Sequence, residues 1–114
     1  MAVSYNSNFD ITVPFSDASA QFHLQANVEE TYTVPGAATV RYSARFGYAS
    51  NSNVYVRLNA TPTVPGAGTV TTQGASEFKP GFDGSQRYVI GGDVIHMITP
   101  DTTAYTGVSL RQLP

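Results

Sequence analysis

Two histidines, His23 and His96, are the side chains in this sequence best suited to metal binding or acid–base chemistry. His23 lies between Gln21 and Gln25 on the polar side of an alternating segment, and His96 lies in an otherwise apolar run. A zinc site needs several converging ligands, and the sequence contains no His-x-His or His-x-x-x-His spacing. The sequence therefore predicts structural roles for both histidines and no metal or other cofactor.

Three aspartates, Asp83, Asp93 and Asp101, lie near loops and have the chemistry of a carboxylate pair or a calcium site. Aspartate next to glycine is, however, the usual composition of a turn. No serine lies in a Gly-x-Ser-x-Gly elbow, and no glycine-rich phosphate-binding loop is present. We therefore predict that the protein is not an enzyme and has no small-molecule substrate.

Three arginines and a tyrosine are candidates for a face that binds a partner. They alternate with apolar residues in two segments, 39–46 and 53–60. If these segments pair as a hairpin, the four polar side chains share its outer face. Such a face would either pair with acidic residues of a protein partner or keep the sheet soluble, and the sequence leaves both possibilities open. The four residues are Arg41, Arg45, Tyr55 and Arg57.

Charged residues make up 12% of the 114 residues, against about 25% in ordinary soluble domains. The net charge of −2 and the single lysine, Lys79, predict no nucleic-acid partner, because phosphate binding needs clustered cations. The sequence has no cysteine and no apolar run of the roughly 18–20 residues that cross a membrane. A hydroxyl-rich surface costs little to desolvate, which indicates either a surface covered by other protein or a neutral β domain.

Alternation of apolar and polar residues runs through most of the chain and predicts β-strands. Valine, threonine and tyrosine are abundant, and no apolar run has helical spacing. We predict an all-β antiparallel sandwich, jelly-roll-like, with about eight strands and with segments 39–46 and 53–60 as its central hairpin. Phe78 and Phe82 are predicted to anchor the irregular segment 73–87 to the core.

Residues 1–18 are predicted to form an extended N-terminal arm or an edge strand, ahead of a single sandwich domain at 19–114. Four apolar side chains alternate along this segment and share one face. Pro14 removes a backbone donor, which confines the segment to a sheet edge or an intermolecular contact. The four candidates for contact with a partner are Phe9, Ile11, Val13 and Phe15.

Three segments carry a resemblance to known proteins: the Met-Ala start that leads into a polar arm, Gly-Gly-Asp-Val-Ile at 91–95, and the ending at 98–110. With these segments the chain resembles small virion proteins of tailed bacteriophages, in particular capsid cement or decoration proteins. The resemblance implies a β-sandwich, often a homotrimer, that binds the major capsid protein on the capsid surface and stabilises contacts between subunits. It also implies synthesis in the host cytoplasm and a final location on the virion.

A carbohydrate-binding jelly-roll module, or a fibre or adhesin component, is the alternative function. In such modules exposed aromatic rings stack on sugar faces, and the candidates are Tyr48, Tyr55 and Tyr105. The absence of tryptophan and of the basic-then-apolar layout of a signal peptide favours the capsid protein.

Overall fold

A computed structural model describes residues 15–72 and 74–114 of the chain. Phe9, Ile11 and Val13 lie outside these residues, and Phe15, just ahead of the first strand, is fully exposed. No helix in the described part is long and apolar enough to cross a membrane. The strands are β1 (Ala18–Gln25), β2 (Glu30–Thr33), β3 (Arg41–Tyr48), β4 (Tyr55–Leu58), β5 (Ser76–Phe78), β6 (Arg87–Ile90), β7 (Val94–Ile98) and β8 (Thr103–Gln112).

The strands form two antiparallel sheets, in the orders β1-β8-β3-β6 and β2-β7-β4-β5. β1 pairs with β8, β2 with β7, β3 with β6, and β4 with β5. These pairings arise when one long antiparallel hairpin, with its tip between β4 and β5, folds over on itself. Two further pairings, β3 with β8 and β4 with β7, complete the sheets. The prediction of an eight-stranded, jelly-roll-like sandwich is confirmed.

The core lies between the two sheets and is built from the inward positions of alternating strands. Along β8, every second side chain from Ala104 to Leu110 is buried. Ile95 and Met97 of β7 contribute to the same buried cluster from the other sheet. Burial of each large aliphatic side chain stabilises the fold by about 1.5–3 kcal/mol. The alternation seen in the sequence is therefore the pattern that holds the two sheets together.

The predicted central hairpin is wrong. Segments 39–46 and 53–60 contain β3 and β4, but β3 lies between β8 and β6, whereas β4 lies between β7 and β5. The chain crosses from one sheet to the other between these strands, and Val54 is buried at the crossing. Alternation determines which side chains point inward, but it does not determine which strand is the neighbour.

Phe78 and Phe82 do not anchor their segment to the core, since they are 52% and 70% exposed. Phe78 ends β5, a three-residue edge strand that the irregular composition of segment 73–87 concealed. Beside this edge, the Arg87 guanidinium of β6 lies 2.9 Å from the Glu77 carboxylate of β5 and links the two sheets. The segment is therefore held mainly by strand pairing and polar contacts.

Gly91, in the turn after β6, packs against the backbone of the connection between β2 and β3. A Cβ atom at Gly91 would overlap the carbonyl oxygens of Gly36 and Ala37, which belong to the main chain and cannot rotate away. We expect Gly91→Ala to lower the free energy of unfolding, measured by urea denaturation, by about 2 kcal/mol or more. Gly74→Ala is the matched control, because a Cβ there meets nothing within 4 Å. Equal effects of the two substitutions would contradict this packing.

Candidate functional site

The three aspartates that were candidates for a carboxylate pair or calcium site serve separate loops. Asp83 accepts a hydrogen bond from the backbone amide two residues later at 3.0 Å, and Asp93 accepts one from the amide three residues earlier at 2.9 Å. Asp101 accepts a hydrogen bond from the Asn53 amide at 2.8 Å and so ties two neighbouring loops. Among the described residues, no group of three potential metal ligands comes together.

The two histidines lie on different sheets and contact different partners. The His23 ring of β1 stacks on Tyr105 of β8, with centroids 4.3 Å apart and an interplanar angle of 9°. His96 Nδ1 of β7 lies 3.0 Å from Glu29 Oε2. A hydrogen bond from the Thr61 side chain, together with His96, holds the pKa of the Glu29 carboxyl below its ordinary value. The two histidines are therefore separate features of the surface.

The four residues of the predicted partner face are divided between the two sheets. Arg41 and Arg45 lie on the outer face of β3, whereas Tyr55 and Arg57 lie on the outer face of β4. Because the outer faces of a sandwich point in opposite directions, these side chains do not form one surface. The prediction of a shared face is wrong, because it depended on the hairpin. Within the described residues, Arg57 Nε is buried and has no hydrogen-bond partner.

A cluster of aromatic rings around the lysine lies where the β3–β4 and β5–β6 connections meet. The ring centroids of Tyr55 and Phe78 are 5.0 Å apart. The ring centroids of Tyr48 and Phe82 are 6.4 Å apart. The ammonium nitrogen of Lys79 lies 4.2 Å from the ring centroid of Phe82. It lies 5.8 Å from the ring centroids of Tyr48 and Phe78. Such contacts attract a cation to ring faces. We call this set the aromatic patch: Tyr48, Tyr55, Phe78, Lys79 and Phe82.

Hydrogen bonds to the backbone constrain the loop after β5, which carries Lys79 and Phe82 of the aromatic patch. The Tyr48 hydroxyl donates to the Pro80 carbonyl at 2.6 Å, and the Lys79 amide donates to the Val54 carbonyl at 2.8 Å. Burial raises the pKa of the Tyr48 hydroxyl, so this group keeps the proton that it donates. Lys79 has a φ of 47°, a conformation that few residues other than glycine adopt. A loop held in one conformation loses little entropy when a partner binds to it.

A groove of about 450 Å³ crosses the outer face of the β1-β8-β3-β6 sheet. Its floor is formed where Gly47 of β3 lies directly opposite Gly107 of β8, because neither residue has a side chain to cover the sheet. On the other side of β8, Gln21 of β1 lies opposite Gly107. The Oε1 atom of Gln21 occupies the space that a Cβ atom at Gly107 would need. We call the following set the glycine groove: Gln21, Arg45, Gly47, Tyr105, Gly107 and Ser109.

The groove combines an exposed ring with an arginine that has no ion-pair partner among the described residues. Tyr105 is 57% exposed, and since His23 covers one face of its ring, the opposite face is the open one. Arg45 belongs to neither of the two ion pairs found among the described residues. Arg41 and Arg111 lie on the same outer face, so this face is cationic in a chain whose net charge is −2.

The three tyrosines proposed from the sequence as sugar-stacking candidates have different surroundings. Tyr48 and Tyr55 are partly buried in the aromatic patch, and Tyr105 lines the glycine groove. The alternation in the sequence placed Gly107 on the outer side of its strand. It gave no information that Gly107 faces Gly47, because that contact depends on the register between β3 and β8.

Comparisons of the chain with protein-family models, with curated proteins and with solved structures found no match. The candidate sites are therefore argued from their geometry.

The interactions of the Glu29 carboxylate with Thr61 and His96 make a testable contribution to the pH dependence of stability. Because the pKa of Glu29 is below 4.5 in the folded protein, its contribution is present above the unfolded-state pKa and is lost as the pH falls through the folded-state pKa. We expect Glu29→Gln to lower the free energy of unfolding near neutral pH and to have progressively less effect below pH 4.5. Urea denaturation between pH 7 and pH 3 measures this.

Glu30→Gln is the control for this experiment, because Glu30 is exposed and its side chain makes no hydrogen bond to another described residue. We expect it to leave the pH dependence unchanged. A loss that is independent of pH in Glu29→Gln, or the same profile in both variants, would contradict the contribution assigned to Glu29.

Proposed function

We propose that the chain is a structural virion protein that binds the outer surface of a phage capsid and stabilises contacts between capsid subunits. The observation that best supports this proposal is the aromatic patch. It presents two exposed phenylalanines, Phe78 at the end of β5 and Phe82 on the constrained loop after it, in a protein that carries few charges. Exposed aromatic clusters with few charges are typical of surfaces that bind other proteins. The resemblance of the sequence to cement proteins makes the major capsid protein the proposed partner.

The sandwich architecture suits a brace between subunits. A preformed sandwich can bind without changing its shape, so little of the interaction energy is lost to ordering. In the described sheets β1 and β6, and β2 and β5, are the edge strands. Open edges accept an added strand from a neighbour, and residues 1–15 precede the edge strand β1. We propose that this segment contacts the capsid through Phe9, Ile11, Val13 and Phe15.

Co-sedimentation with capsids assembled from the major capsid protein of the same phage tests this proposal. We expect Phe78→Ser combined with Phe82→Ser to weaken attachment at least tenfold, because truncation of two interface aromatics costs more than about 1.4 kcal/mol. Deletion of residues 1–15 is expected to weaken attachment as well. Phe78 and Phe82 are exposed, and residues 1–15 precede β1 in the sequence. The fold, monitored by circular dichroism, should therefore be retained in both variants.

Val70→Ser is the control for the phenylalanine variants, because Val70 is also an exposed apolar side chain but lies outside the aromatic patch. We expect it to attach like the unmodified protein. Equal capsid occupancy by the phenylalanine variant and the unmodified protein would remove the support that the aromatic patch gives. Equal occupancy by the truncated protein would refute the proposed role of the N-terminal segment.

We further propose that the chain assembles as a homotrimer, in which symmetric contacts cover edge strands that are exposed in one copy. Size-exclusion chromatography with light scattering measures the native mass. We expect a stable species at three times 12.2 kDa. A species of 12.2 kDa at micromolar concentration would contradict the trimer.

A further inference from the structure

We propose that the glycine groove binds an acidic saccharide, a sugar unit that carries a carboxylate. The ring of Tyr105 is exposed and can stack on a ligand. One face of this ring is covered by His23, and Tyr105 lines the same groove as Gly47 and Gly107. An aromatic ring that lines a groove can hold the apolar C–H face of a sugar ring by stacking.

The cation in the groove points to the acidic class of sugar. In the pairing of β3 with β8, Arg45 lies opposite Ser109. This is the next outward-facing pair after Gly47 and Gly107. The guanidinium group matches a carboxylate in charge and shape and forms two parallel hydrogen bonds with it. Neither ion pair among the described residues engages Arg45, and Arg111 adds positive charge to the same face.

Neutral polar groups supply the remaining contacts that a sugar needs. The amide of Gln21 and the hydroxyl of Ser109 line the groove, and both donate and accept hydrogen bonds. A volume of about 450 Å³ lies within the range of small-molecule sites. A second depression, of about 290 Å³, shares Arg45 and Ser109 with the groove and extends towards Arg111. The two depressions in series fit a chain of sugar units better than a single small molecule.

The same observations disfavour a nucleic acid as the occupant. A nucleobase would also stack on Tyr105, but a nucleic-acid strand needs a row of cations along its backbone. Among the described residues that line the main groove, Arg45 is the one cation. Acidic-sugar binding goes beyond the proposed attachment to capsids, which involves the aromatic patch and residues 1–15. The glycine groove shares no residue with the aromatic patch, and Phe15 of the N-terminal segment borders only the second depression. Substitutions at Gly47 and at Phe78 and Phe82 therefore test the two functions separately.

The test uses the full chain without capsids. It is first applied to an array of sialylated and uronic-acid oligosaccharides, printed beside the same compounds with their carboxylates methyl-esterified. The strongest acidic ligand is then measured by isothermal titration calorimetry, with its methyl ester and with a single-stranded oligothymidylate as comparison ligands. We expect saturable binding of acidic glycans and at least tenfold weaker binding of the esters and the oligonucleotide.

Gly47→Val is the most informative variant. A Cβ at Gly47 meets nothing within 4 Å, and valine is well suited to a strand, so the substitution should fill the floor of the groove without disturbing the fold. We expect it to weaken acidic-glycan binding at least tenfold. Gly74→Val is the matched control, since the same change there also meets nothing within 4 Å but lies outside the groove.

Two further pairs of variants separate the stacking and charge contributions. Tyr105→Ala is expected to weaken binding at least tenfold, whereas Tyr88→Ala, an equally exposed tyrosine on the same sheet, should change it by less than twofold. Arg45→Gln is expected to abolish the preference for the acid over its ester, whereas Arg41→Gln should retain it. Arg41 lies on the same strand outside the groove, where it donates to the Pro114 carbonyl.

Three results would overturn the proposal: no acidic glycan bound on the array, esters or oligonucleotide bound as tightly as the acids, or full binding by correctly folded Gly47→Val protein. None of these results depends on capsid attachment. Loss of glycan binding would therefore leave the proposed capsid function standing, and loss of capsid attachment would leave the glycan site standing.

Discussion

Both the core and the outer surface depend on β8, which lies between β1 and β3. Its side chains alternate strictly between the core and the outer surface. Its inward residues, from Ala104 to Leu110, close the core against the opposite sheet. Its outward residues include Tyr105 and Gly107, which form the groove. A shift of one residue in register would exchange the two sets. The buried Thr106 hydroxyl, which donates to the Gly47 carbonyl at 2.7 Å, reinforces the register that aligns the two groove glycines.

The fold separates two surfaces with different chemistry. The aromatic patch lies where strand ends meet the connections that cross between the sheets. Three of its rings surround one cation, and its exposed phenylalanines leave apolar surface for a protein. The glycine groove belongs to the regular part of one sheet, and it pairs an open ring face with an arginine that has no acidic partner among the described residues. Protein docking and acidic-sugar binding are therefore proposed for separate sets of residues on one rigid scaffold.

The sequence predicted the elements well and their neighbours poorly. Alternation identified the inward residues of β3 and β8, because burial on one side of a strand leaves a period of two. It failed for the pairing of β3 with β4, because in this topology consecutive strands lie in different sheets. For the same reason the sequence wrongly predicts one face for Arg45 and Arg57 and does not predict that Gly47 lies opposite Gly107. Phe78 and Phe82 look like core residues in the sequence, and only their surroundings show them to be exposed.

A cryo-EM reconstruction of capsids carrying the full chain would test the separation of the two surfaces most directly. The account predicts Phe78 and Phe82 in contact with the major capsid protein, and the floor at Gly47 and Gly107 open to solvent. A reconstruction with the glycine groove covered by capsid protein and Phe82 facing solvent would contradict it.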